Sequence, residues 1–264
     1  MHTLTRLRPL TEQNVARTTD RSANACAECS AFKSCFASLF SAREGQQFEQ
    51  LIVRRRVTRH ASLYREDDRF EMLYAVRFGQ FKLVRSDATG EQRVAQFHMQ
   101  GDLIGLDAIA TGRHNFRLMA LENSEVCEIP YAGIAKMIAN EPTMQRYFLQ
   151  SMSVALNDQY ARSSLLSLPS LDERFASFLL QLSERYGRLG YSDRSYRLGM
   201  TRGDIGSYLG TTVESVSRVI SRFNAQGAVS ISGRTVELHN RAYLLSILSS
   251  KNDGIAAKEP GVDE

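Results

Sequence analysis

The stretch between Pro142 and Pro169 is the feature that most constrains the fold of this chain. Pro142 suits the first turn of a helix, and no proline or glycine follows before Pro169. We therefore predict one helix of about 25 residues, roughly twice the usual length in globular proteins. Six of its residues follow one another at intervals of three or four positions, as in a heptad repeat: Leu149, Met152, Leu156, Gln159, Ser163 and Leu166.

These six residues predict a dimerisation seam. Four of the positions are apolar, which is the pattern of a coiled-coil contact. The two polar positions, Gln159 and Ser163, would keep such a dimer marginal, and a marginal dimer can be switched by a ligand. The alternative is a helix that packs only on its own domain, a role that Tyr147, Phe148 and Leu165 on its other faces can serve.

A capping box opens the part of the chain that follows. Ser170 and Glu173 have the spacing of this motif and predict a helix over about 171–187. Gly187 and Gly190 are expected to end it, since glycine interrupts helices.

Two shorter helices are then predicted over 202–209 and 213–225. Their N-caps, connecting turn and C-terminal stop are expected at Thr201, Thr212, Gly210 and Gly227. The segments VSI and TVEL, joined at Ser232-Gly233, predict a hairpin, and a last helix is predicted over 240–249. Two short helices across a tight turn, followed by a hairpin, indicate a winged helix-turn-helix.

Short β-type segments recur between about residues 52 and 129. They are LIV, MLYAVRF, QFKLV, RVAQFHM, FRLMAL and EVCEI, and turn residues such as Gly79, Gly101 and Asn123 separate them. Short strands at this spacing predict a sandwich or barrel, which we interpret as a β-roll. The fold class is therefore predicted to be α+β.

One face of the second short helix carries residues that can read DNA. Glu214, Ser217 and Arg218 stand at i, i+3 and i+4, and a recognition helix presents such residues to the major groove. Arginine can donate two hydrogen bonds to guanine, glutamate can accept from cytosine, and serine can do either. Outside a helix-turn-helix, the same spacing would indicate only a solvated ion pair. Phosphate contacts are predicted at Arg202, Thr212, Ser215 and Arg222.

The four cysteines of the chain form a second group of candidate functional residues. Cys26, Cys29 and Cys35 lie within ten residues of one another, and Cys127 falls in the last predicted strand of the roll. Four thiolates suit either Zn²⁺ or an iron–sulfur cluster, and the spacing does not choose between them. Scattered structural thiols are the third possibility.

The segment TRGDIGSYLGTTVESVSRVISRF, residues 201–223, resembles the helix-turn-helix of the CRP/FNR superfamily. Its run ESVSR is similar to that of the FNR (fumarate and nitrate reductase regulator) subgroup. The likeness continues through SLYREDDRFEMLYAVRFGQFKL, GDLIGLDAIATG and VCEIP, and it covers roughly residues 22–240. The resemblance implies an N-terminal cyclic-nucleotide-binding-like β-roll, a long dimerisation helix and a C-terminal winged helix-turn-helix.

The resemblance also implies a function. In the subgroup, an oxygen-responsive 4Fe-4S cluster is held on a cysteine pattern that falls here on Cys26, Cys29, Cys35 and Cys127. A homodimer reads double-stranded DNA as inverted TTGAT-type half-sites through residues that match Glu214, Ser217 and Arg218. The family contacts RNA polymerase through a region corresponding to the Ser86–Gln92 loop. We expect the cluster to bind the dimer-competent state better and so shift the population towards it.

Other classes of protein fit the sequence less well. A CRP-type regulator whose small-molecule effector is a cyclic nucleotide would hold it in the roll with a glutamate and an Arg-Ser pair. The segment LIGLDAIATGRHNFRLMAL, which follows Gly101-Asp102, contains no Arg-Ser pair. A cupin-type metalloenzyme would need clustered histidines, whereas the five here are scattered. We therefore expect no enzymatic activity. With no apolar run long enough for a transmembrane helix and no signal segment, a cytoplasmic protein without membrane partners is expected.

These observations predict five regions in the chain. They are a flexible arm (1–21), a cluster-binding loop with the β-roll sensor domain (22–140), the dimerisation helix (141–168), the winged helix-turn-helix (169–250) and a disordered tail (251–264).

Overall fold

The computed structural model describes residues 26–87 and 90–249. The predicted arm and tail lie outside these described residues. A β-roll, a long helix and a winged helix-turn-helix follow one another along the chain, which confirms the predicted α+β fold class. The five regional boundaries stay predictions.

The strands of the described ranges form three antiparallel sheets. They are β1 (Val53–Val57), β2 (Ser62–Tyr64), β3 (Met72–Phe78), β4 (Phe81–Ser86), β5 (Gln92–His98), β6 (Leu103–Ile104), β7 (Arg117–Ala120), β8 (Ser124–Pro130), β9 (Ser195–Arg197), β10 (Val229–Ser232) and β11 (Thr235–Leu238). The roll consists of the sheets β1-β8-β3-β6 and β2-β7-β4-β5, and the wing has the order β10-β11-β9. Fully buried side chains from both roll sheets, such as Val126 and Phe81, meet in one apolar core.

The helices surround the roll and build the C-terminal domain. They are α1 (Ala42–Leu51), α2 (Tyr131–Asn140), α3 (Pro142–Ser167), α4 (Leu171–Arg188), α5 (Arg202–Leu209), α6 (Val213–Ala225) and α7 (Arg241–Ser249). Turns of 3-10 helix lie at Cys26–Glu28, Phe32–Ser34, Phe36–Leu39 and Leu106–Ala108. The long helix between the two prolines is confirmed, and so are the two short helices of the helix-turn-helix.

Three local predictions need correction. Gly187 does not end α4, which continues to Arg188, because one glycine in a last turn costs only about 1 kcal/mol. Gly190, with a φ of +82°, lies just beyond the helix end. The hairpin turns at Gly233 and Arg234 rather than at Ser232-Gly233, since Ser232 still pairs with Thr235.

The LIV segment is the third correction. Leu51 ends α1 and Ile52 caps it, so the strand begins only at Val53 and continues through three arginines. Such a polar strand is stable because its arginines pair with glutamates of β8, for example Arg55 with Glu128 at 2.8 Å.

The cysteine-bearing N-terminal segment is fixed to the roll by phenylalanines. The ring of Phe36 makes edge contacts with Phe40, Phe48 and Phe148, at centroid distances of 4.6, 6.1 and 6.4 Å. Phe48 belongs to α1 and Phe148 to α3. One buried ring next to Cys35 therefore joins the segment to the long helix.

The DNA-binding domain docks on the roll through α5. Lys82 of β4 forms an ion pair with Asp204 at 2.6 Å, and the backbone N–H of Val94 donates to Ser207 Oγ at 2.9 Å. Arg185 of α4 adds a 2.5 Å ion pair to Asp102. Apolar residues of β4 and β5 share one core with the C-terminal helices, so the two domains are packed as one unit.

None of the helices in the described ranges combines the length and the apolar character that crossing a membrane requires.

The phenylalanine contacts generate a stability prediction. Phe36→Ala is expected to lower the free energy of unfolding of the metal-free protein by about 3–5 kcal/mol, because it leaves a cavity where a buried ring was. Urea unfolding followed by circular dichroism measures this. Leu39→Ala is the matched control: Leu39 lies three residues further on and is 37% exposed, so its loss should be under about 1 kcal/mol. Equal small losses in both variants would contradict the proposed anchoring by Phe36.

Candidate functional site

Cys127 lies in the middle of β8, the second strand of its sheet. Its neighbours in register are Arg54 of β1 and Ala75 of β3. Residues directly opposite in antiparallel strands point to the same face of the sheet. Two residues earlier on β8, Glu125 shares that face with Cys127. The face that bears Cys127 packs against the N-terminal segment.

The other three cysteines lie in the turns of that segment. The backbone N–H of Cys29 donates to Cys26 O at 3.0 Å, and that of Cys35 donates to Phe32 O at 3.0 Å. All four thiols are free and half-buried. Together with Phe32, Phe48 and Arg77, they line one cavity of about 20 Å³. The structure thus brings the four predicted ligands together.

Burial favours the protonated form of three of these thiols, those of Cys26, Cys35 and Cys127. Burial is the main cause that raises the pKa of Cys26 and of Cys127 to about 12, and that of Cys35 to about 11. The fields of the neighbouring thiols add to each shift, and Glu49 adds to that of Cys26. A metal held here would have to displace these protons.

Positive charge faces the same thiols. The field of Arg54 lowers the pKa of both Cys26 and Cys127, in opposition to burial. The Arg77 guanidinium donates a hydrogen bond to the Glu125 carboxylate, and Glu125 and Cys29 together raise the pKa of Arg77 against the effect of burial. Sequence reasoning missed Arg54 and Arg77. Strand alternation does not place Arg77, because the register of β3 with β8 shifts between Val76 and Phe78.

The donor set fits a thiolate-bound metal in its chemistry, and its four thiols line one cavity. As the side chains stand, no group of three histidine, cysteine, aspartate or glutamate residues among those described is arranged to hold a metal ion. The thiols would have to turn towards a common centre and lose their protons. A four-thiolate set of this kind can serve zinc or an iron–sulfur cluster.

The helix-turn-helix is built as the sequence predicts. Gly210 has a φ of +66° in the turn, and Gly206 lets the turn approach closely, since a Cβ there would lie 2.9 Å from Thr211 O. The N-cap Thr212 accepts from the Ser215 N–H at 3.3 Å. Val216, Val219, Ile220 and Phe223 bury the opposite side of α6.

The exposed side of α6 carries the predicted reading residues. Glu214 and Arg218 are exposed, and Ser217 is half-buried. Ser217 Oγ donates to Val213 O at 2.9 Å and accepts from Arg202 Nη1 at 3.2 Å. The structure thus places Arg202 of α5 beside the reading residues.

The other predicted phosphate contacts already have partners within the protein. Arg222 forms an ion pair with Asp172 of α4. Thr212 Oγ1 donates to Ser215 Oγ at 3.1 Å at the start of α6. Both serine and threonine remain at the N-terminus of the helix, where phosphate oxygens are favoured.

Part of the predicted seam on α3 is exposed. Leu149, Met152 and Leu156 are 65%, 39% and 51% exposed, and Ser163 is exposed as well. The Gln159 amide bonds instead to Gln96 of the roll, and Leu166 packs against the core of the DNA-binding domain.

Sequence reasoning also missed an exposed apolar residue of this helix. Tyr160 is 62% exposed and lies four residues after Leu156, so it continues the stripe where Gln159 turns towards the roll. The spacing to Leu156 was the signal that could have found it.

Comparison with known proteins agrees with this architecture. The family model of the cyclic nucleotide-binding domain matches residues 54–141, and that of the Crp-like helix-turn-helix domain matches residues 173–247. The solved structure of FixK2 from Bradyrhizobium japonicum superposes with a TM-score of 0.68 and 27% identity, covering 74% of this chain and 96% of FixK2.

Curated relatives extend over most of the chain. The "Anaerobic regulatory protein" of Aggregatibacter actinomycetemcomitans is 35% identical over 231 residues, which are 87% of this chain and 90% of that protein. The "Fumarate and nitrate reduction regulatory protein" of Escherichia coli (strain K12) is 34% identical over 223 residues, 84% of this chain and 89% of the relative. These relatives are named as regulators. The chain therefore belongs to the CRP/FNR family of DNA-binding transcription regulators.

Proposed function

We propose that this protein is an oxygen-responsive regulator of the anaerobic response, controlled by a 4Fe-4S cluster held on Cys26, Cys29, Cys35 and Cys127. The observation that carries the proposal is the meeting of these four thiols, from a surface segment and a central strand, at one cavity. The printed names of the relatives, which refer to anaerobic regulation and to fumarate and nitrate reduction, support it.

The chain's own residues supply the route from the thiols to the dimer helix. When bound, the cluster supplies a redox-active, oxygen-labile core that ties four thiolates into one unit. Phe36 follows Cys35 directly and contacts Phe148 of α3. Release of the thiols would remove the metal–thiolate links between the N-terminal segment and the sheet, and the packing of Phe36 on α3 would be weaker without them.

In this proposal, the dimer forms through the exposed apolar stripe of α3. Three apolar residues of the stripe, Leu149, Met152 and Leu156, can be buried against a second copy. A shift from 1:99 to 99:1 in favour of the dimer-competent state requires about 5.5 kcal/mol of differential binding. The total binding energies of structural metal sites, about 10–16 kcal/mol, are larger than this required difference.

The homodimer would present two α6 helices to a palindromic operator. Arg218 can donate two hydrogen bonds to guanine O6 and N7, and Glu214 can accept from cytosine N4. Ser217 can bond a neighbouring base once its hydroxyl leaves Val213 O. Inverted TTGAT-type half-sites are the proposed target, by similarity to the FNR subgroup.

A contact with RNA polymerase is proposed for the Ser86–Gln92 loop. Its two central residues lie outside the described part of the chain. Around them, the Asp87 N–H donates to Glu91 O at 3.0 Å, between the end of β4 and the start of β5. We also propose a cytoplasmic location and the absence of enzymatic activity, both in keeping with regulator relatives.

The cluster is tested by anaerobic purification of the wild type and of the four single Cys→Ser variants. Iron and acid-labile sulfide should be present in the wild type and largely lost in each variant, because each thiolate is a ligand. Iron, sulfide and zinc analysis, together with visible absorption, measures this. Ser38→Ala, in the same segment, should keep the cluster. Zinc in place of iron in the wild type, or full iron in all four variants, would refute the assignment.

The reading of DNA is tested with Arg218→Ala. Loss of a bidentate contact to guanine should weaken binding to a TTGAT inverted repeat by about 1–3 kcal/mol and abolish its preference over a repeat in which that guanine is replaced. Fluorescence anisotropy with both DNAs measures this. Arg222→Ala is the control on the same helix and should weaken both complexes alike. An Arg218→Ala variant that kept its preference would rule out this base contact.

The dimer helix is tested with Leu156→Glu. A charge at the centre of the stripe should leave the anaerobic protein monomeric in analytical ultracentrifugation, because it cannot be buried without a partner. The urea stability of the metal-free variant should change by no more than about 0.5 kcal/mol, since this side chain is already solvated. Leu245→Glu, at a leucine of α7 that is 47% exposed, should remain dimeric. Dimers of normal strength in Leu156→Glu would exclude this surface as the interface.

A further inference from the structure

Arg77 connects the sheet that bears Cys127 to the segment that bears the other three cysteines. It lies on β3 at an irregularity, where the register with β8 shifts between Val76 and Phe78, and it lines the same cavity as Cys127. Its side chain is 20% exposed. Cys29 of the segment lines this cavity as well, and the Arg77 guanidinium donates a hydrogen bond to Glu125 of β8. Burial lowers the pKa of Arg77, but Glu125 and Cys29 together raise it above its usual value.

Glu125 is the anchor of this arrangement. Its side chain is 7% exposed and lies between two arginines, Arg77 on β3 and Arg56 on β1, the latter at 3.5 Å. A buried carboxylate held between two guanidinium groups has little freedom to move. Glu125 therefore fixes the direction in which the Arg77 guanidinium leaves the sheet.

The chemistry of the guanidinium suits this bridging position. Its planar fork carries five N–H donors, so it can serve a carboxylate and a sulfur atom at the same time. A lysine ammonium offers a compact point charge without this fixed fork. Arginine also stays charged, and a permanent cation favours the negative charge that four metal-bound thiolates bring into a half-buried cavity.

We propose that Arg77 is a positioning residue that holds Cys29 of the N-terminal segment against the strand of Cys127, with Glu125 as its anchor, so that the four thiols are assembled before and after metal binding. The inference rests on the proposed function in one respect: its expected consequence is that Arg77 helps the protein to retain the cluster. The proposed bridge involves protein groups alone and can be tested without metal.

The experiment uses the full-length protein with Arg77→Gln and Arg77→Lys. The control is Arg55→Gln, which breaks the pair with Glu128, a comparably buried arginine–glutamate contact in the same sheet with side chains 14% and 11% exposed. Hydrogen–deuterium exchange of the metal-free proteins compares the peptide spanning residues 26–40 with peptides from β3 and β8. Iron release to a chelator from anaerobically reconstituted protein is the second readout.

In Arg77→Gln, exchange in the 26–40 peptide should accelerate roughly tenfold relative to the strands, the effect of losing one hydrogen bond to a charged group. Iron release should be about 10-fold to 100-fold faster than in the wild type, as for other outer-sphere partners of metal ligands. Arg77→Lys should be intermediate in both readouts, and Arg55→Gln should match the wild type in the ratio of segment to strand exchange.

The inference is overturned if exchange of the 26–40 peptide in Arg77→Gln keeps its wild-type ratio to the strands. It is overturned as well if Arg77→Lys matches the wild type in both exchange and iron release. A positive charge without the guanidinium fork would then be sufficient to hold the segment. Failure of the proposed function is a separate result: the wild type would hold no iron, while the exchange ratio in the metal-free proteins would still decide the role of Arg77.

Discussion

The packing of the cysteine-bearing segment on the outer face of the β-roll is the interaction on which the rest of the structure depends. It brings Cys26, Cys29 and Cys35 to the strand of Cys127, although about ninety residues of chain separate them. Edge contacts between phenylalanines provide the apolar part of this packing. A buried network of arginine and glutamate on the sheet provides the polar part.

The same packing connects chemistry at the thiols to the surface of α3. Phe36 follows a candidate ligand directly and contacts Phe148 of the long helix, so under the proposed function a movement of the segment would reach α3 through one side chain. The stripe of α3 that could bind a second copy is apolar but interrupted, since Gln159 bonds to the roll and Leu166 belongs to the core of the DNA-binding domain. An interface of this kind gives a weak dimer, whose population a modest free energy can shift.

The docking of the DNA-binding domain leaves its reading face open. Contacts with the roll are made by α5, where Asp204 pairs with Lys82 and also closes the capping box with Thr201. Glu214 and Arg218 of α6 remain exposed. The orientation of α6 is therefore set by contacts that α5 and α4 make with β4 and β5. The exposed residues of α6 take no part in these contacts and remain free to contact DNA bases.

The sequence by itself determined the features that local chemistry controls. Prolines set the limits of α3, and threonine caps with Gly210 set the helix-turn-helix, because caps and helix breakers act within a few residues. The candidate metal ligands could be identified because the chain has only four cysteines. Only the tertiary structure decided which residues surround those ligands. The neighbours of Cys127 depend on strand register between residues far apart in the chain, which a local pattern does not contain. For the same reason, Arg77 and Glu125 emerged as partners of the site, and Gln159 as a contact of the roll, only after the strands were paired.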